Sequence, residues 1–187
     1  MLIGSQERGR RLVWARLVVG ATLVGVCALA SGEVPSRCEP PKALSEKLDQ
    51  LYPGYSVITA HALPKGHRSK YRADHGKSCP GLVKLDFYGS GLSTYGVALI
   101  KREDKKVLTK LLVATQSDRN WAIVEIDSAT LTTPPVIWTE PPGEYKDVYG
   151  QKAIRARYPV LLFVGYESWG IVFSWSGTEV QKLWVSD

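Results

Sequence analysis

Between residues 42 and 52 apolar side chains recur at Leu44, Leu48, Leu51 and Tyr52, the i, i+4, i+7, i+8 spacing that lines one face of a helix. Pro41 stands at a first-turn position that tolerates a missing N–H, and Pro53-Gly54 ends the run. From Tyr55 onward the period changes to two. Alternation and apolar runs predict strands over residues 55–61, 81–87, 94–101, 107–116, 120–127, 135–138, 154–166, 168–175 and 179–185. Ile154, Ala156 and Tyr158 alternate with Arg155 and Arg157, which gives that strand one wet face. The run Val160-Leu161-Leu162-Phe163-Val164 is apolar on both faces and reads as central, while Trp169, Ile171, Phe173 and Trp175 share one face of the next strand.

Turn chemistry makes these neighbours antiparallel. Ser176-Gly177 fits a two-residue hairpin loop, because glycine takes the positive φ such loops need, and residues 101–106 read as a longer, charged hairpin. Residues 132–142 are a proline-rich break, a surface loop suited to carrying the chain between two sheets. No helical period of comparable length follows residue 53, which argues against a parallel sheet of βαβ units. The expected fold is α+β, mainly β: one N-terminal helix packed on a large antiparallel sheet, alternatively on a two-sheet sandwich.

A different pattern precedes residue 31. Arg8, Arg10, Arg11 and Arg16 form a positive head, residues 17–30 are apolar, and Ala28-Leu29-Ala30 supplies a small-x-small cleavage signature. Residues 1–30 are therefore expected to be a signal peptide and residues 31–187 a single disulfide-linked domain, periplasmic or secreted. The apolar run falls short of the roughly 20 residues a membrane span requires, so no transmembrane anchor is expected after processing. Arg10-Arg11-Leu12-Val13 is a partial twin-arginine pattern, interrupted by Arg16. A lipidated Cys27 would follow Val26 where a small residue is expected.

Removing the leader changes the charge picture. The chain has 24 basic and 18 acidic residues; the leader holds four and one of these, which leaves 20 against 17. The basic balance is thus largely the leader's, and a nucleic-acid partner is not expected. Only Cys38 and Cys79 remain, an even pair in an oxidising compartment and so an expected disulfide. Closing its loop of about 42 residues would remove on the order of 4 kcal/mol of unfolded-chain entropy. A redox-active pair would want a close C-x-x-C spacing.

The most motif-like stretch is Asp86-Phe87-Tyr88-Gly89-Ser90-Gly91-Leu92-Ser93-Thr94, followed at once by an apolar strand. It resembles the D-x-D-G-D-G-x-x-D calcium loops of FG-GAP and VCBS repeats. Together with Tyr52-Pro53-Gly54-Tyr55, Cys79-Pro80-Gly81 and the closing stretch 166–187, it resembles small uncharacterised secreted bacterial proteins carrying a single degenerate loop of this kind. The resemblance implies a β-rich exported protein and carries no activity to transfer. Asp86 matches the first ligand and Gly91 the turn glycine, whereas Tyr88, Ser90 and Thr94 replace carboxylates. Calcium takes six to eight oxygens, several of them charged, so the degenerate loop formed by Asp86, Ser90 and Gly91 reads as a glycine-rich turn with no metal or other cofactor.

The second cluster is residues 65–77, where Lys65, Arg68, Lys70, Arg72 and Lys77 outnumber Asp74 and where His67 and His75 lie, with His61 beside them. The histidine spacing is irregular for zinc, and five cations would repel a metal. A flexible basic loop that meets an anionic surface, such as lipid headgroups or acidic glycan, is the functional expectation, against the plain alternative of a solvated loop.

Hydrolase signatures fail: a G-x-S-x-G elbow around Ser168 or Ser93 would need glycine where Tyr166 or Tyr95 stands, and no phosphate-binding glycine loop opens a helix. Glu140, Glu144 and Asp147 lie near Tyr145 and Tyr149 and are the only motive for glycan hydrolysis. Most aromatic residues are expected in the core; Trp138 and Trp184 are the candidates for an exposed stacking face for sugar or peptide, against the plainer alternative of structural packing. Two functions follow: an exported non-enzymatic binding or interaction module, with no catalytic residues assigned, and as the alternative a secreted hydrolase acting on cell-wall or other glycans.

Overall fold

The computed structural model describes residues 38–117, 120–166 and 168–186; the expected signal peptide, Cys27 and the cleavage site before Ser31 lie outside the described residues. The fold is mainly β, with antiparallel sheets and two helices. The helical period at the start forms α1 (Lys42–Leu51), whose Pro41 carbonyl accepts the N–H groups of Leu44 and Ser45 at 2.8 and 2.9 Å. Leu44 and Leu48 are buried, whereas Leu51 is exposed.

The long strand β3 (Thr94–Glu103) organises the first sheet, together with β1 (Ser56–Val57), β2 (Leu82–Leu85), β4 (Lys106–Ser117) and β5 (Asn120–Leu131). β3 pairs with β4 along its whole length, from Thr94 opposite Thr115 to Glu103 opposite Lys106. Its other edge is shared end to end by β1, at Leu99 and Ile100, and β2, at residues 94–97. At their junction Ala98 accepts the Ile58 N–H at 3.1 Å and donates to the Gly81 carbonyl at 2.9 Å. A Cβ on residue 81 would stand 2.5 Å from the Ile58 carbonyl oxygen, so the close approach of the two chain ends requires glycine.

The second sheet runs β11 (Val180–Ser186), β10 (Trp169–Trp175), β9 (Val160–Gly165), β6 (Val136–Glu140), and β7 (Gly143–Lys146) pairs with β8 (Ala153–Ala156) as a separate hairpin. Residues 132–135 carry the chain from one sheet to the other, and the Ile137 N–H donates to the Pro80 carbonyl at 2.8 Å, joining β6 to the start of β2.

The period-two pattern decides which cluster each side chain joins. Ala98, Ile100, Leu111 and Val113 from the first sheet pack with Ile137, Leu161, Phe163, Ile171 and Phe173 from the second. The alternate positions Val97, Leu99, Leu112 and Ala114 pack with Leu44 and Leu48 of α1 and with Trp121. Val160 and Val172 turn the other way, with Ala156, Tyr145 and Ile154 of the β7–β8 hairpin against them. All these elements belong to one compact unit, Val34–Asp187.

Several expectations are corrected. The basic stretch 65–77 is not a loop: it contains a second helix, α2 (Lys65–His75), preceded by a 3₁₀ turn at Ala60–Ala62. The strand expected over 154–166 is two strands, β8 and β9, because Pro159 lacks the N–H a continuous ladder needs. β7 was not expected at all. Residues 101–106 form a tight turn rather than a long hairpin, with Glu103 opposite Lys106 and Asp104 at φ +53°. Conversely the Ser176-Gly177 loop spans residues 176–179: Trp175 pairs with Val180, and the Ser176 N–H donates to the Glu179 carbonyl at 3.0 Å.

Candidate functional site

α2 forms between two backbone punctuation marks. Pro64, at φ −52° and ψ 151°, accepts the first helical bond from the Arg68 N–H at 2.9 Å, and Gly76, at φ +62°, donates to the Arg72 carbonyl at 3.0 Å and ends the helix. The inner face is made by His67, Tyr71 and His75, spaced i, i+4, i+8. Tyr71 is fully buried and its hydroxyl donates to the Cys79 carbonyl at 3.0 Å. Cys79 in turn is bonded to Cys38, with a Cα–Cα separation of 5.0 Å. The helix is thereby fastened to the disulfide and, through Pro80, to β6.

Rings complete the seat of α2. His75 lies 4.8 Å from the Tyr71 ring and 4.6 Å from the Trp138 ring, both tilted by 35°, and His67 lies 6.0 Å from Tyr166. Burial pushes the His75 pKa below its usual value, against the opposing pull of the Asp74 and Glu140 carboxylates. Burial, reinforced by Asp74, raises the Tyr166 hydroxyl to about 12, and burial raises Tyr71 as well. Both tyrosines therefore stay protonated at neutral pH. Trp138, a candidate stacking face in the proline-rich stretch, is a half-buried residue of β6 whose indole N–H donates to Glu140 at 3.0 Å.

The five cations divide into two kinds. Arg68 is half-buried and turned back along the chain, its guanidinium donating to the His61 and Leu63 carbonyls at 3.1 and 3.0 Å. It holds the approach to the helix, with one guanidinium nitrogen committed to those two carbonyls. Lys65, Lys70, Arg72 and Lys77 are exposed. The Lys70 ammonium lies 5.8 Å from the centre of the Tyr166 ring. Lys65, Arg72 and Lys77 have no ion-pair partner among the described residues. Asp74, the one acid of the helix, is exposed and close enough to His75 and Tyr166 to favour the protonated form of each. Near the helix C-terminus a cleft of about 520 Å³ is lined by Ala60, Tyr71, Arg72, Gly76, Lys77 and Ser78.

Several cations elsewhere are paired or bonded, while Lys84, Lys105, Lys106, Lys152, Arg155 and Arg157 are exposed. Lys101 pairs with Glu103 at 2.7 Å, Lys110 with Glu125 at 2.7 Å and Lys182 with Asp127 at 2.8 Å. Lys47 and Arg102 donate to the Trp121 and Ala62 carbonyls.

At the degenerate loop both oxygens of the Asp86 carboxylate accept backbone donors within the turn. One oxygen accepts the Ser90 N–H and the other the Gly91 N–H, each at 3.0 Å, while the Ser90 hydroxyl accepts the Leu92 N–H at 3.3 Å. Gly89 and Gly91 take φ +66° and +73°, and a Cβ on Gly89 would overlap the Tyr158 ring. The loop thus acts as a clasp whose carboxylate satisfies backbone donors. Among the described residues no group of three or more His, Cys, Asp or Glu side chains is placed to hold a metal ion, so His61, His67 and His75 are not gathered into one.

The acids considered for hydrolysis are likewise engaged locally. Glu140 ends β6 and takes the Trp138 N–H, Glu144 lies in β7 and pairs with Lys146 at 3.4 Å, and Asp147 accepts the Gln151 and Lys152 N–H groups at 2.6 and 3.0 Å. Trp184 is exposed, with its ring edge-on to Trp169 at 6.1 Å. Comparison with protein-family models, with curated proteins and with solved structures finds no match.

Proposed function

We propose that this chain is an exported, non-enzymatic binding module that docks on an anionic surface through the outer side of α2. The observation that carries this reading is the local surplus of charge: Lys65 and Arg72 of α2 and Lys77 just beyond its end are exposed and have no ion-pair partner among the described residues, with exposed Lys70 beside them and Asp74 the one acid of the helix. The same outer side carries Gly66, Ser69 and Ala73, all exposed and small, so an extended anionic surface can approach the helix closely. Basic residues near an anionic membrane contribute about 1 kcal/mol each. Lys65, Arg72 and Lys77 at that scale give weak, reversible adsorption, not permanent anchoring.

Export rests on the composition of residues 1–30, and the Cys38–Cys79 bond fits an oxidising compartment. We read the two larger sheets as a sandwich with α1 as an outer cover, and the Asp86–Gly91 turn as a single FG-GAP-like loop that keeps the glycines and the first carboxylate while its calcium ligands have been replaced. The glycan-hydrolase alternative draws no support from Glu140, Glu144 and Asp147, each held by its own neighbours.

The test is cosedimentation of the protein recovered after export with vesicles containing phosphatidylglycerol and with vesicles of phosphatidylcholine alone. Binding to the first and not the second, falling steeply as salt rises to 0.15 M and the screening length drops to about 8 Å, is the expected result. Equal binding to both, or none at low salt, contradicts the reading.

A further inference from the structure

We infer that the cleft at the C-terminal end of α2 is a binding site for a phosphomonoester carried on a small polyol or sugar. The inference rests on the anionic-surface reading and deepens it, turning a diffuse charged face into a site with a shape. Three observations carry it.

The lining is one-sided in charge: Arg72 and Lys77 border the cleft with Ser78, and no carboxylate joins them. Arg72 and Lys77 have no ion-pair partner among the described residues, and Asp74, the one acid of the helix, is not part of the lining. Two cations match a group of charge near −2, which a phosphomonoester carries at neutral pH and a single carboxylate does not. The guanidinium supplies a planar pair of donors for two phosphate oxygens, and the lysine supplies a point charge for the third.

The floor is apolar and rigid. Tyr71 is fully buried, with its hydroxyl already donated to the Cys79 carbonyl, so what it offers the cleft is ring rather than polar atom. The disulfide at the neighbouring residue holds that wall in place. At about 520 Å³ the space exceeds a bare phosphate and suits a phosphate with one ring or a glycerol attached. Finally, Gly76 leaves the mouth open: a Cβ there would meet nothing within 4 Å, and the φ of +62° keeps larger residues out.

The experiment titrates the protein recovered after export with glycerol 1-phosphate, with glucose 6-phosphate and with unphosphorylated glucose at low salt, followed by calorimetry or backbone NMR shifts. We expect both phosphates to bind with shifts centred on Arg72 to Ser78, glucose not to bind, and Arg72→Gln to weaken binding at least about tenfold, as loss of a charge-assisted hydrogen bond does. Ser78→Leu fills the cleft without touching a charge: it should abolish binding of the soluble esters while leaving salt-sensitive vesicle adsorption intact. Vesicles doped with phosphatidic acid, compared at equal surface charge with phosphatidylglycerol vesicles, then distinguish a lipid source of the phosphomonoester from a soluble one. Absence of ester binding in the unaltered protein, or binding indifferent to Ser78→Leu and Arg72→Gln, overturns the site. If vesicle adsorption persists in that event, the surface reading stands and only the cleft falls; loss of adsorption as well brings down both.

Discussion

Arg68 and Arg72 stand one turn apart on the same helix and do opposite things. Arg68 is half-buried and satisfies two carbonyls that precede the helix, whereas Arg72 points outward at the cleft. Replacing Arg68 with Ala removes donors from the His61 and Leu63 carbonyls and should cost about 1–3 kcal/mol. Replacing Arg72 with Glu should change stability by no more than about 0.5 kcal/mol, the usual range for an exposed residue. Thermal or urea unfolding of the two variants checks this; equal effects would mean the two side chains are not so divided. Glycines make a similar contrast. Gly89→Ala places a methyl group against the Tyr158 ring at a positive φ and should destabilise by about 1–3 kcal/mol, whereas Gly66→Ala, in open space within a helix, should stabilise by about 0.5–1 kcal/mol.

At the scale of elements, legibility in the sequence followed the source of each element's stability. α1 and most strands declare themselves because their buried positions are Leu, Ile, Val and Phe at a clear period. α2 does not: its inner face is His67, Tyr71 and His75, and two of those three read as polar. The spacing i, i+4, i+8 and the bracketing Pro64 and Gly76 were the available signals. β7 has no apolar run to announce it, and Pro159 was a break that a continuous strand over 154–166 overlooked. The cations of the site were legible as a cluster, but which side each takes depends on the helix, so Arg68 could not be separated from Lys65, Arg72 and Lys77 by composition. The histidine-rich seat also gives α2 a pH dependence. His75 has a folded pKa below its unfolded value of about 6.5, so the unfolded chain binds the proton more readily. Its contribution is fully present above pH 6.5 and is lost as pH falls through the lowered folded value. Stability should therefore drop from pH 7 toward pH 5, with a smaller drop in His75→Phe. An unchanged pH slope in that variant would show that His75 is not the group responsible. Serine at Cys38 and Cys79 together should cost about 2–4 kcal/mol, and because Tyr71 is bonded beside Cys79, hydrogen exchange in α2 should speed up more than in β3 or β4. Uniform acceleration would separate the disulfide from the seating of the helix.

Over the whole molecule, the proposed function rests on the distribution of charge. Without residues 1–30 the chain is close to balanced, at 20 basic and 17 acidic residues. Charge pairs such as Lys110–Glu125 and Lys182–Asp127 leave little field of their own, whereas Lys65 and Arg72 of α2 and the adjoining Lys77 have no ion-pair partner among the described residues and stand on or beside a helix fixed by Tyr71 and the disulfide. The central claim is that this one side carries binding. Its most direct measurement compares the unaltered protein with a Lys65→Glu, Arg72→Glu, Lys77→Glu variant in adsorption to anionic vesicles across salt, with thermal unfolding run alongside. The account predicts that the variant unfolds at nearly the same temperature and no longer adsorbs at any salt concentration. A variant that folds equally well and adsorbs as the unaltered protein does would contradict it.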